Sequence, residues 1–268
     1  MKRLPHLLGL IAVVVFAAFP VYWMVSSSFK EQNDLLASPP MWLFHPTWAH
    51  YLEVFADAKV IDGVLNSLIV AIATTALAVL LGTPAAYALA RFEFRGKSDL
   101  WFWFISNRMI SPIVLALPIY LLARQAGLLD THIVLILVYL TFNLPIVVWI
   151  CTDQFRSIPG ELDQAARLDN ATQWQVFRLI YLPLALPGVA VSAIFSFIFS
   201  WNELLYALVL TRRDVETAPV VATSFMSGYE LPWGKIMATG TVIVLPVTIF
   251  ALLVSRHMIR GLTMGATK

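Results

Sequence analysis

Charge is what this chain has least of. Of 268 residues only 13% are Asp, Glu, Lys or Arg, against roughly 25% in an ordinary soluble domain. A chain so poor in charge and 59% hydrophobic is not built to sit in water. Cys151 is the single cysteine, which rules out an internal disulfide and leaves no cysteine-built metal site. The five histidines are scattered. No GxxxxGK phosphate loop, HExxH pair, GxSxG elbow or EF-hand loop occurs, so no ATP hydrolysis and none of these catalytic chemistries is expected of this chain. Asp163 and Asp169 lie six residues apart with no sign of a pocket beside them. The 18 Lys and Arg residues are dispersed, which does not suit nucleic-acid binding.

What the chain does have is long apolar runs. Six can be drawn, at about 7–29, 63–90, 100–123, 132–152, 184–209 and 236–255. Each is near the twenty residues that a helix rising about 1.5 Å per residue needs to cross about 30 Å of hydrocarbon. The alternating ten-residue segments of a membrane β-barrel are not evident. The expected fold class is therefore all-α, a polytopic membrane protein with six transmembrane helices. Lys2 and Arg3 ahead of the first run resemble the start of a signal peptide. The run continues through FPVYWMVSSSF without a small-residue cleavage site, so it is read as a retained span.

Loop charges suggest an orientation. With the amino terminus in the cytoplasm, the internal segments carry eleven basic residues, Lys2, Arg3, Arg91, Arg95, Lys97, Arg156, Arg167, Arg178, Arg256, Arg260 and Lys268. The external segments carry six: Lys30, Lys59, Arg124, Arg212, Arg213 and Lys235. This bias predicts both termini inside. The external loop of about 30–62 contains PPMWLFHPTW, whose tryptophans suit the membrane interface, and a second external loop spans about 210–235. Both are long enough to meet an external partner. The expected division is a first helix with its loop, 1–62, followed by a membrane core, 63–268.

Between Phe155 and Pro183 the hydropathy falls without becoming loop-like. Leu162, Ala165, Ala166 and Asp169 follow a helical spacing, Asn170 tolerates a left-handed turn, and Thr172 with Gln175 has the form of a capping box. Trp174, Phe177, Ile180 and Tyr181 line one face of the second helix, with Gln173, Gln175 and Arg178 favouring the other. A helix–turn–helix with apolar side chains needs something to pack against. Two uses are open: packing on the ends of the chain's own spans, or docking into a groove of a soluble partner.

Polar residues inside the apolar runs are costly unless they face protein or water. Asn66, Asn107, Arg108, Asn143 and Glu203 are the candidates, each for the lining of a pathway or for structural hydrogen bonding. Gly82, Ala86 and Ala90 recur at four-residue intervals, a face that admits a close helix neighbour either within the chain or across a subunit interface.

The segment from Ile158 to Pro187 resembles the EAA signature of bacterial ABC importer permeases. Ile158, Pro159, Glu161 and Leu162 look like its lead-in; Gln164, Ala165, Ala166, Asp169, Asn170, Ala171, Ile180, Leu182 and Pro183 match by spacing. Gln164 stands where the signature has glutamate and Asn170 where it has glycine. Asn66–Ser67, the Trp201–Asn202–Glu203 triplet and the terminal GLTMGATK extend the likeness to the carbohydrate-uptake branch, similar to the second permease subunit of maltose-type transporters. The resemblance implies a permease forming half of a translocation pathway for a sugar or related polar solute. It implies assembly with a second permease, two ATP-binding subunits that carry the ATP and Mg, and an external solute-binding protein, in the lipid of a bacterial inner membrane. No cofactor is then expected on this chain. The same resemblance implies a coupling surface over about 153–183, with Glu161, Leu162, Gln164, Ala165, Ala166, Asp169, Asn170, Ala171, Phe177, Ile180, Leu182 and Pro183 in it. The competing readings are an ion-coupled secondary carrier, which calls for inverted repeats and broken helices around a midplane ion site, and a membrane scaffold subunit that does not transport. No persuasive repeat is present.

Overall fold

A computed structural model describes residues 3–227 and 231–263. Among them there is helix and no strand. In chain order the helices are α1 (Arg3–Ser27), α2 (Gln32–Leu35), α3 (Ala49–Ala56), α4 (Ala58–Arg91), α5 (Lys97–Asn107), α6 (Pro112–Gln125) and α7 (His132–Arg156). Then follow α8 (Glu161–Leu168), α9 (Gln173–Val176), a π-helical turn (Phe177–Tyr181), α10 (Leu182–Trp201), α11 (Leu205–Leu210), α12 (Ala218–Ser224) and α13 (Trp233–Thr263). Five uninterrupted helical stretches are long and apolar enough to span a membrane, and α5 with α6 forms a sixth, broken candidate. Of the terminal GLTMGATK, the part from Met264 onward lies outside the described residues.

Two of the expected spans differ from the sequence reading. The run at 100–123 is not one helix: α5 and α6 meet at a 96° bend. Pro112 accounts for it, because the residue before a proline is driven out of the α region. Ser111 is extended at φ −65°, ψ 129°, and Pro112 opens the next helix. The run at 184–209 is also interrupted. α10 ends at Trp201 and a new helix begins at Leu205. The polar pair at the break serves the freed backbone: Asn202 Nδ2 donates to Ile198 O at 2.9 Å, and Glu203 Oε1 accepts from Tyr206 N at 2.9 Å. Irregular backbone at membrane depth requires such internal partners.

The chain divides into two compact units, with boundaries inside α4, at the start of α12 and inside α13. One contains Met1–Val64 and Ala218–Pro246. Its core joins Val54, Val60, Val221 and Ala238. Lys235 Nζ pairs with Asp57 Oδ2 at 2.8 Å, holding that carboxyl below the ordinary aspartate value first through the shared hydrogen bond. The 30–62 stretch is folded rather than free. Lys30 is buried, donates to Met41 O at 2.8 Å and lies over the Trp23 ring at 4.4 Å. Trp42 meets Trp23 edge-on at 5.5 Å, and Trp48 meets Phe29 at 5.0 Å.

The other unit contains Leu65–Thr217 and Val247–Lys268. Its centre is the packing of α7 against α4 and α10. The small-residue face of α4 belongs to this internal packing: Gly82 and Ala86 are buried, and a Cβ on Gly82 would come within 2.8 Å of a Val147 methyl carbon. Close approach of α7 therefore needs a glycine there.

Asp130 clamps the loop before α7 to the one after α11. Its Oδ1 accepts from the backbone N–H of Arg212 and Val215 at 3.0 and 3.2 Å, and its Oδ2 from Arg213 and Asp214 at 3.1 and 3.2 Å. Partial burial pushes the carboxyl up, but the four N–H donors together leave it below its ordinary value. A depressed folded-state pKa means the stabilisation is complete above about pH 4, the unfolded aspartate range, and is lost as pH falls through the folded value. Asp130→Asn turns an amide toward two N–H donors and is expected to cost about 1–3 kcal/mol at pH 7. Thermal unfolding of the purified protein checks this, and the gap between variant and wild type should narrow below about pH 4.

Candidate functional site

The segment between α7 and α10 is organised by one arginine. Arg91, at the end of α4, donates through Nη2 to Phe155 O at 2.7 Å and to Ile158 O. Phe155 O lies in the last turn of α7 and Ile158 O just beyond it, past the regular helical ladder, and a guanidinium there also complements the helix dipole. Its carbon centre lies 4.5 Å from the centroid of the Tyr181 ring. Around it Tyr87 touches Phe92, Phe155, Phe177 and Tyr181, with ring centroids 5.0–5.7 Å apart. This cluster joins the ends of α4, α7 and α10 to the π turn.

From that base the chain projects α8 and returns. Asn170 takes the left-handed conformation at φ 55°, and Ala171 N–H reaches back to Ala166 O at 3.0 Å, the six-to-one bond of a Schellman ending. Asparagine fills a position that usually falls to glycine. The Thr172 side chain then caps Gln175 N–H at 3.3 Å while Gln175 Oε1 accepts from Thr172 N–H at 2.8 Å, the reciprocal box that the sequence spacing predicts. The second helix does not stop at the membrane. Gln173 to Trp201 is continuous, and the π turn just before Pro183 loosens the ladder where Pro183 and Pro187 cannot donate.

The predicted residues fall on two sides of this segment. Ala166 and Phe177 are buried, Ala166 at 6% exposure, in a core with Val147, Phe155, Val176 and Tyr181; Ala171, Ile180 and Leu182 are partly buried against it. They brace the segment rather than face outward. Glu161, Leu162, Gln164, Ala165, Asp169, Asn170 and Pro183 are exposed. Beside them stand large apolar side chains that the sequence reading did not single out, Leu168 at 84% and Leu179 at 68% exposure. Trp174, expected on the apolar face with Phe177, Ile180 and Tyr181, is 63% exposed, its ring tilted against that of Phe177 at 5.3 Å. The missed signal was available for Leu168: it lies on α8 two residues past Ala166, so it points away when Ala166 points in.

The intramembrane polar candidates separate as well. Asn66 is structural: its Nδ2 donates to Asp214 O and Glu216 O at 3.2 and 3.1 Å, and His132 Nε2 donates to its Oδ1 at 2.9 Å. Asn143 is fully buried and ties α7 to α10 through Ser200 Oγ at 3.0 Å. Asn107, Arg108 and Glu203, by contrast, come together. With Thr141, Phe142, Phe199 and Tyr206 they line a cavity of about 270 Å³ beside the α5–α6 break. Arg108 also borders an apolar cavity of about 480 Å³ walled by Phe104, Trp149 and Phe195.

Residues 78–264 match the family described as "Binding-protein-dependent transport system inner membrane component". The chain belongs to that family. It is 39% identical over 264 residues to the trehalose transport system permease protein SugB of Mycobacterium tuberculosis, covering 96% of this chain and 94% of that one. Against the trehalose/maltose transport system permease protein MalG of Thermococcus litoralis the identity is 32%, over 100% and 98% of the two chains. A permease chain from the crystal structure of a bacterial ABC transporter involved in import of the acidic polysaccharide alginate superposes with a TM-score of 0.73 at 21% identity over 94% of each chain. The protein is thus a membrane-embedded permease subunit of an ATP-driven, binding-protein-dependent importer. In these importers the ATPase is a separate subunit.

Ala166→Asp would place a carboxylate without a counter-ion in the core beneath α8. The expected result is a loss on the order of 3 kcal/mol, read as a lower Tm of the purified subunit, and this is a defect of the chain's own packing before any partner is added.

Proposed function

We propose that this permease forms half of the pathway of a sugar importer, with both termini on the cytoplasmic side and α8 as the element that receives force from the ATPase. Two ATP-binding subunits carry the ATP and Mg. A second permease completes the pathway, and an external binding protein delivers the solute. The observation that carries the docking role is the two-sidedness of the 161–183 segment. Its inner face is fixed to α4, α7 and α10 by Arg91 and the aromatic cluster, while Leu168 stands almost fully exposed at the far end of α8. Exposed leucine on a rigid helix gains nothing from water and is stabilised by a partner's groove. Glu161, Leu162, Gln164, Ala165, Asp169 and Asn170 supply the surrounding polar and small-residue surface. Relatives named for trehalose, maltose and diacetylchitobiose uptake favour a sugar as the solute.

The mechanism follows from the connection. Closure of the ATP-binding subunits on ATP moves α8. Because α8 shares a packed core with α4, α7 and α10, those helices move with it and the pathway changes the side to which it opens. Leu168→Asp tests this reading, since the side chain is outside the chain's own core. The variant should keep the Tm of the isolated subunit while ATP-dependent uptake in the reconstituted importer falls at least about tenfold, a loss of about 1.4 kcal/mol or more in coupling. Wild-type uptake with the ATPase bound at full yield would remove α8 from the docking role.

A further inference from the structure

We propose that the cavity at the α5–α6 break is a station that holds one ring of a neutral sugar as it passes this subunit. The inference rests on the sugar-permease reading above and adds a place where this chain itself touches the solute.

The break is the first argument. Residues between Asn107 and Pro112 leave the helix within an apolar candidate span, and backbone of this kind persists at membrane depth only against protein or beside a water-filled space. Here the space is present, and the break delivers Asn107 and Arg108 into its wall.

Unused hydrogen-bonding capacity is the second. Arg108 commits Nη1 to Phe142 O at 3.3 Å and lies over the Phe199 ring at 5.0 Å. Its other guanidinium N–H groups have no partner among the described residues, and neither does the Asn107 amide. Glu203 accepts backbone N–H groups at the start of α11, yet a carboxylate offers about four lone-pair sites. The cavity lining thus carries both donors and an acceptor, as a ring of hydroxyls requires. One guanidinium and one carboxylate leave no excess of charge, which favours a neutral polyol over an anion or a cation.

The third argument is shape. Phe142 and Phe199 wall the same cavity. The Phe142 ring is held flat against Tyr206, at 6.3 Å and 11°. A fixed aromatic face beside convergent polar groups accepts the C–H face of a pyranose while its edge hydroxyls are paired. At about 270 Å³ the space is below the roughly 300–1,000 Å³ of sites for drug-sized ligands. It takes one sugar ring at a time.

The test uses the whole importer in proteoliposomes, with trehalose, maltose and diacetylchitobiose as probes, and measures uptake together with ATP hydrolysis stimulated by the loaded binding protein. Asn107→Ala and Glu203→Gln are expected to lower the amount of sugar moved per ATP hydrolysed at least fivefold, with stimulated hydrolysis within about twofold of wild type, because docking and coupling lie elsewhere. Asn107→Ala carries the test if Glu203→Gln does not assemble, since the Asn107 side chain has no hydrogen bond to lose among the described residues. Unchanged sugar per ATP in Asn107→Ala, or uptake and hydrolysis falling together, overturns the station and leaves the sugar-permease reading standing. A wild-type importer that moves none of the three sugars with ATP overturns the sugar reading, and the station with it.

Discussion

The architecture depends on Arg91. A guanidinium at the end of a membrane helix binds two carbonyls at the end of another and lies on the face of Tyr181. Charge-assisted hydrogen bonds of this kind are stronger than neutral ones, and the ring contact adds to them. Without it, the turn after α7 would lose its hydrogen bonds to α4 and be held there only by the apolar packing around Tyr87. With it, the 155–181 segment becomes an extension of the helical core.

That rigidity suits the segment to the proposed coupling role. A helix that must transmit movement needs one face that does not yield and another that remains open to a partner. The inner face is dense with Ala166, Phe177 and Tyr181, and cores packed to this degree shift between arrangements rather than deforming smoothly. The outer face combines small, polar and apolar residues around Leu168. The two departures from the EAA pattern fit the geometry. Asn170 takes the left-handed turn, and Gln164 lies on the exposed side, where its amide is available to a partner.

Much of this was legible in the sequence because its causes are local. Run length and low charge give the all-helical membrane class, the Thr172–Gln175 spacing gives the cap, and Asn170 gives the turn. What was not legible depends on distant neighbours. Arg91 reads as one more basic residue in a loop, since nothing nearby shows that its partners lie 64 and 67 residues on. Asp130 is equally silent, because its four donors are backbone groups of a loop more than 80 residues away. Asn66 and Glu203 look alike as polar residues in apolar runs, yet one is saturated by loop carbonyls and the other faces a cavity. The break at Pro112 had a local cause, but apolar composition on both sides hid it. The spacing of Ala165 and Ala166 pointed to a helix over this segment without showing that Ala166 faces inward.

The most direct measurement is a disulfide or short thiol crosslink from α8 to the ATPase in membrane vesicles. Leu168→Cys in a Cys151→Ser background gives a single reactive position on this chain, because Cys151 is its only cysteine. Paired with single cysteines on the ATP-binding subunit, it should form an adduct with that subunit on the cytoplasmic side, and the yield should change when ATP is added. Labelling of Leu168→Cys from the external side of sealed, oriented vesicles, or adducts formed only within this chain with and without ATP, would contradict the account.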